Sequence, residues 1–469
     1  MARRIIVVAV VAFVLRLAVT LSLPSRPFSD FATYLSMAEA LADSGSLRWI
    51  PPMHPPGYPA ALASVFALVP DADRLLVAKL ANCVLGGATV LIGAGLARRL
   101  WGERAGLIAA VVLALFPRQL LMPSLIASEN LFTPLLFVFV WLVAGAWNED
   151  TSVRRSAATG AVLGGMALTR TVAYFAGIVW VAAAWAGGRK WRDIVREFAV
   201  LLLVQHAVML PWAVGNHLHH GRFTFLTCSG GMGLFIGNSE HATGMWYPGW
   251  KGDLEALRPG VDGRPEFEVD DAARAEAVRW ILDNPGRAAR LYLAKLKWIF
   301  TEDKDAVDWA TNDAYWNRGI STSTGTGSVT GSDSWLIRNR LQIMTATRAC
   351  GWLVIVTGAL GVILAVRRHR RSASAMSAAA LTSVLGVTAY VPLVSALIAV
   401  NGRYRWPVED LAVLFMSLAV ATLAVNRGAH EWAGRTQASG NPRRPQRGGQ
   451  LGCVMSRCGW EGLAKGGAG

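Results

Sequence analysis

The stretch IIVVAVVAFVLRLAVTLSL (residues 5–23) follows Arg3 and Arg4 and carries a single charge, Arg16. A bilayer core of ~30 Å needs about 20 mostly apolar residues per helix, so this run is long enough to cross one. A secretory signal peptide also starts basic and turns apolar. Here the apolar part is too long for one and no A-x-A-like site precedes Pro24, so the run reads as an uncleaved first helix. Similar runs recur at 75–96, 105–121, 131–147, 157–168, 172–186, 194–212, 349–366, 378–400 and 408–425. With Met1 on the cytoplasmic side, alternation leaves RRLWGER (98–104), NEDTSVRR (148–155), GGRKWRDIVR (187–196), RRHRR (367–371) and the C-terminal tail inside. All are rich in Lys and Arg, as the positive-inside rule requires. The expected fold is an all-α polytopic membrane protein of about ten transmembrane helices, with both ends cytoplasmic.

Composition points the same way. The 469 residues are 53% hydrophobic and 16% charged, against roughly 25% charged in soluble domains, and the mean hydropathy is +0.36. A soluble enzyme, a disordered chain and a disulfide-stapled chain are all excluded. The net charge of +15, from 46 basic and 31 acidic residues, suggests nucleic acid only until the basic residues are placed. They sit in linkers between apolar runs, where they encode orientation, and no nucleic-acid partner is expected. Five cysteines without a CxxC pair give neither a disulfide framework nor a zinc site. GTGSVTG (325–331) lacks phosphate-loop spacing and reads as a flexible loop.

Residues 1–425 thus form one membrane domain with two sizeable outside segments. The first, 24–73, holds an expected helix over 30–44 with Ser29 as its N-cap, and a short apolar helix over 58–68. The second, 213–345, contains an acidic patch over 253–276 and a basic amphipathic helix over 285–300, suited to an anionic membrane surface. Residues 427–469 are rich in Gly, Arg and Pro and read as a disordered, basic cytoplasmic tail.

Ionisable residues at membrane depth are costly and usually functional. Asp30 and His54 lie in the first outside segment, Glu129 in PSLIASENLFTPLL, Arg170 in ALTRTVAY, and Arg403 and Arg405 in VNGRYRWPVEDL. All four segments are expected at one membrane face. Two acids and three arginines there suit a cavity that handles a phosphate and a proton. Arg403 and Arg405, with Tyr404 between them, are the candidates for the phosphate, because a guanidinium makes paired contacts with its oxygens. Arg16 is expected to pack against the bundle or snorkel, and His217, His219 and His220 to form a wet face.

With these stretches laid out, the chain resembles the polyprenyl-phosphate-dependent glycosyltransferases of the GT-C superfamily, in particular the protein O-mannosyltransferase and lipid A aminoarabinose transferase group. The resemblance rests on SDFATYLSMAEAL (29–41), HPPGYPAALASVFAL (54–68), FPRQLLMPSLIASENLF (116–132), the segment from LPWAVGN to GNSEHATG (210–244) and NGRYRWPVEDL (401–411). Two departures stand out: Phe31 occupies a place where the family often has a second acid, and Gly215 one where it often has Arg. The resemblance implies transfer of a hexosyl or pentosyl group from a polyprenyl-phosphate donor. The acceptor would be a lipid, glycan or protein at the outer face of a bacterial cytoplasmic membrane. It implies Asp30 as the catalytic base, Glu129 beside it, and Arg403, Tyr404, Arg405, Arg170, His54, Tyr58 and Asn238 as substrate contacts. No cofactor is required by it, and a divalent metal is left open, with His54 a candidate to help hold one.

Two other classes use the same features. A transporter or lipid flippase needs many spans and a charged cavity, but should show internal repeats, and none is visible in loops this asymmetric. An O-antigen ligase or polymerase is a transferase that uses lipid-diphosphate glycans instead.

Overall fold

Backbone polar groups in lipid must be satisfied within their own segment, so each apolar run can only coil. The computed structural model describes residues 2–23, 25–145, 152–301, 305–310, 339–372 and 375–438. Two compact units divide the chain, Met1–Ala421 and Thr422–Gly469. In order, the helices are α1 (Ala2–Ser22), α2 (Asp30–Ser44), α3 (Gly57–Phe66), α4 (Arg74–Trp101), α5 (Glu103–Leu115), α6 (Pro117–Leu121), α7 (Glu129–Val143), α8 (Ser152–Thr169) and α9 (Gly177–Ala186). They continue with α10 (Trp191–His220), α11 (Gly230–Gly237), α12 (Trp250–Leu257), α13 (Glu266–Asp283), α14 (Pro285–Thr301), α15 (Asp305–Ala310), α16 (Arg340–Ser372), α17 (Ala375–Ser395) and α18 (Trp406–Ala438).

The protein is an all-α, multi-pass membrane protein. Each of the ten apolar runs is helical, but they are unequal. Among the described residues six helices are long and apolar enough to cross a bilayer: α1, α4, α10, α16, α17 and α18. Helix α5 and the segment Pro117–Ser124 are apolar enough together, as a broken span or a re-entrant loop, and meet at 56° where Pro117 follows the extended Phe116. Helix α7 and the segment Thr171–Ala186 are apolar but shorter, and α8 falls below the same hydropathy. Helices α8 and α10 run in close backbone contact: a Cβ on Gly160 would overlap the Leu201 carbonyl, and one on Gly164 would crowd Gln205. Small residues allow this approach where lipid supplies no hydrophobic drive between helices.

The two long segments expected outside differ from expectation in their edges. Helix α10 runs on to His220 and α16 starts at Arg340, which shortens the large segment at both ends. Helix α14 is amphipathic, but Lys295 faces inward, fully buried, and Arg287 pairs with Glu240. Beyond its first turn, Ala289, Arg290, Leu293 and Lys297 keep an exposed face. The last helix extends to Ala438, so residues 427–438 are helical where a disordered tail was expected. Residues 439–469, and the GTGSVTG stretch, lie outside the described residues.

The large segment is what fixes the turn after α17. Ala399 N donates to the Gly233 carbonyl (2.9 Å) and Val400 N to that of Gly244 (3.0 Å). Tyr292 Oη reaches the Leu393 carbonyl at 3.0 Å. On its other side, Cys228 N donates to Pro52 O at 2.9 Å, tying the same segment to the first outside loop.

Candidate active site

Helix ends bring four charges to one place. Asp30 opens α2 and Glu129 opens α7, positions where an acid meets the positive end of the helix dipole. Arg170 is the extended residue that ends α8. Arg403 lies in a 3-10 turn, Gly402–Arg405, that leads straight into α18. Ser29 precedes α2 as expected, but its side chain makes no cap bond and its φ is +47°. That left-handed backbone is unusual for a residue with a Cβ, and strain of this kind gathers at functional sites.

Arg403 joins the two acids. Its Nη2 donates to Asp30 Oδ2 at 2.9 Å, and its Nε stands 3.8 Å from Glu129 Oε1. Arg170 Nη1 donates to the same Glu129 oxygen, and its guanidinium lies over the rings of Tyr404 (5.5 Å) and Phe132 (5.9 Å). Arg403 Nε is buried and makes no hydrogen bond. The two acids are not equivalent. The Asp30 side chain is 37% exposed and Glu129 only 3%, so Asp30 can meet a substrate and Glu129 sits behind, bracing both arginines.

Burial raises the Asp30 carboxyl, but the Arg403 charge, helped by His54 and Arg170, outweighs it and holds the group below its ordinary value. Burial pushes His54 down, with Asp30 and Glu266 opposing, which leaves a neutral imidazole at neutral pH. Tyr34 packs edge-on between His54 (5.7 Å) and Tyr58 (5.9 Å), and burial pushes its hydroxyl up to about 12.

Asp30, Glu129, Arg170, Arg403, Tyr404 and His54 are therefore brought together. Three other residues expected here are placed elsewhere. Arg405 turns away from the cluster and is fully buried against Glu409, because residues two apart in a 3-10 turn of three residues per turn project about 120° apart. Tyr58 is buried in the core, its hydroxyl on Asn82 Oδ1 at 3.0 Å. Asn238 is saturated by Leu234 O, Leu397 O and Lys295 Nζ, each at 2.9 Å, and serves to pin the large segment. Arg16 packs into the bundle, bonded to Ala12 O and Leu113 O in space that Gly86 leaves free.

Arg118, Glu409 and Asp410 escaped the sequence reading. The signal was present: an Arg inside an interrupted apolar run, and two adjacent acids at the head of another, are ionisable residues at membrane depth. They lie behind Glu129, across a cavity of about 10 Å³ lined by Arg118, Gln119, Glu129 and Thr133, the size of a single water. Both carboxylates of the cluster, Asp30 and Glu129, are engaged by guanidinium groups, and among the described residues no three His, Cys, Asp or Glu side chains are grouped to hold an ion.

Residues 53–214, about a third of the chain, match the family described as dolichyl-phosphate-mannose-protein mannosyltransferase. No curated protein matches this chain. The fold is similar to that of the oligosaccharyltransferase of Archaeoglobus fulgidus, at 12% identity and TM-score 0.50, over 89% of this chain and 49% of that one, in a structure with Zn and sulfate. The same protein, AglB, in complex with an inhibitory peptide and a dolichol-phosphate gives TM-score 0.50 and 12% identity over 94% and 52%. ArnT from Cupriavidus metallidurans bound to undecaprenyl phosphate gives TM-score 0.41 and 14% identity over 85% and 77%. The chain spans about half the length of the oligosaccharyltransferase. Together the family match and the shared fold bear out the resemblance to GT-C glycosyltransferases.

Proposed function

We propose that this protein transfers a sugar from a polyprenyl-phosphate donor to an acceptor hydroxyl at the outer face of the membrane. The observation that carries the reading is Arg403: a cation only 16% exposed, whose buried Nε makes no hydrogen bond, bonded through Nη2 to a carboxylate that is 37% exposed. A phosphate needs the first and a hydroxyl nucleophile the second. The donor would arrive through the bilayer, which agrees with a site built from helix ends and with the lack of a nucleotide loop.

Asp30 accepts the proton as the acceptor oxygen bonds to the anomeric carbon, and the bond from that carbon to the phosphate breaks. Arg403 and Arg170 lie where they can hold the departing charge, aided by the low dielectric of a buried site. Glu129, nine-tenths hidden behind them, keeps the arginines in place. A single reachable carboxylate supports direct displacement, with inversion at the sugar, over a covalent intermediate. Two arginines already on the carboxylates fill the part a metal would play, so no step is routed through one.

Membranes containing the protein, given a panel of radiolabelled polyprenyl-phosphate sugars, should release label to a lipid, glycan or protein product. Labelling by none of them, with label taken instead from lipid-diphosphate glycans, would shift the reading to a ligase.

A further inference from the structure

Behind the cluster lies a second set of charges that the proposed chemistry leaves unused. Glu409 and Asp410 stand in the first turns of α18, directly after the turn that carries Arg403 and Arg405. Arg118, at the head of α6, donates from Nε to Glu409 Oε2 (3.0 Å), and from Nη2 to Asp410 Oδ1 (2.6 Å) and the Trp406 carbonyl (3.2 Å). Arg405 Nε donates to Glu409 Oε1 at 2.5 Å and its Nη1 to the Phe300 carbonyl at 2.7 Å. Gln119 and Thr133 bond Asp410 at 2.7 and 3.3 Å. None of the four charged side chains is more than 2% exposed.

Two acids and two arginines balance, and their desolvation makes such a set weak evidence for stability. What it supplies is geometry. It joins the break between α5 and α6 to α7 through Thr133, to α14 through Phe300, and to the start of α18. The turn bearing Arg403 is itself a single 3-10 turn, whose hydrogen bonds are poorly directed. Its upstream flank is pinned by the large outside segment at 397–400, and its downstream flank by these four charges.

We propose that Arg118, Arg405, Glu409 and Asp410 are positioning residues, a closed ion quartet that holds the 402–405 turn so that the Arg403 guanidinium meets Asp30 and Glu129. The consequence for turnover rests on the transferase reading; the consequence for Asp30 does not. In the acid range where Asp30 titrates, the cations facing it are Arg403, Arg170 and a protonated His54. Letting Arg403 drift removes the strongest of them while burial persists, so the Asp30 carboxyl must rise.

The test uses the full chain in nanodiscs with Glu409→Gln, Asp410→Asn, Thr133→Val, Arg118→Gln, and the charge-balanced double variant Arg118→Gln with Asp410→Asn. Asp30 is titrated by difference infrared spectroscopy against Asp30→Asn in each background, and donor KM and kcat are measured alongside. Loss of a close opposite charge should raise the Asp30 midpoint by about one pH unit or more. Misplacement of Arg403 should raise donor KM roughly tenfold. The double variant should recover wild-type folded yield without recovering the midpoint, a split that a purely structural role cannot produce. An unmoved Asp30 midpoint in the folded variants overturns the proposal. Should Arg118→Gln fail to fold, the isosteric Gln, Asn and Val changes decide. Because the infrared reading needs no turnover, an inactive wild type would sink the transferase reading and still leave the quartet tested.

Discussion

Replacing Arg403 with Gln removes a cation shared by Asp30 and Glu129 while keeping a side chain able to hydrogen-bond. Its Nη2 lies 2.9 Å from Asp30 and its Nε has no hydrogen-bond partner, so the guanidinium can serve base and phosphate together. A hydrogen bond to a charged group contributes ~1.5–3 kcal/mol, and each ~1.4 kcal/mol is tenfold. The expected loss in kcat/KM for the donor is therefore ~10- to 150-fold. A second signature lies in the pH profile. With its carboxyl depressed below 3.8, Asp30 stays ionised, and the wild-type profile should be flat through mild acid as far as Asp30 sets it. Without Arg403, burial remains and the carboxyl rises, so the acid limb moves up in pH. The same sign governs stability: the pair stabilises the fold above the unfolded carboxyl value, about 3.9, and that contribution is lost as pH falls through the depressed one. Arg403→Lys should restore only part, lacking the planar fork. The assay is single-turnover transfer from a defined polyprenyl-phosphate sugar between pH 4 and 8, with donor binding measured separately. Unchanged kcat/KM and an unmoved acid limb, at equal folded protein, would make Arg403 a brace for α18 and nothing more.

Asp30→Asn keeps the bond to Arg403 in shape but removes basicity, and turnover should fall by ~10²–10⁴-fold with donor binding retained. Asp30→Glu should recover little, since a displacement of about 1 Å can itself cost ~10²-fold. Glu129→Gln, at a carboxylate only 3% exposed, should slow turnover less; a larger loss there than at Asp30 would reverse the two roles. Topology is checked by reporter fusions, with those after Arg104, Arg196 and Arg371 expected in the cytoplasm and those within 253–301 on the opposite side. A cytoplasmic signal from 253–301 would contradict the orientation assigned to the site.

Apolar run length and basic linkers carry the membrane class and place the helices of the ten runs, because runs near 20 residues satisfy their backbone in lipid by coiling. Helices α11, α12 and α13 were not anticipated. The number of full spans is less legible. Pro117 breaks one run, and α7 and Thr171–Ala186 are short enough that only their neighbours can decide how deep they sit. The clustering of charges was readable where each stood at the end of an apolar run, as with Asp30, Glu129, Arg170 and Arg403. It failed at Arg405, because two arginines spaced by one residue look alike in sequence while a 3-10 turn sends them to different partners. Tyr58 and Asn238 failed for a related reason. A polar atom in an apolar run is bonded to something, and sequence alone does not say whether to substrate or to Asn82 and Lys295.

The two charge layers also show how a fold separates holding from reacting. In the buried layer both acids take two or more donors, and Arg118 spans both acids and a carbonyl. Filling that layer with a ligand would mean breaking charge-assisted bonds in a dry interior, where a stranded ion costs several kcal/mol. The outer layer is left unfinished. Asp30 has open surface, Arg403 Nε lacks a hydrogen bond, and Arg170 leans on the face of Tyr404 in place of a second acid. An anion that enters there gains donors without displacing the Asp30–Arg403 bond. The acceptor hydroxyl can then approach the carboxylate from its exposed side. Filled carboxylates behind and an open one in front favour, on the proposed reading, approach of substrate from the helix ends where α2, α7 and α18 begin.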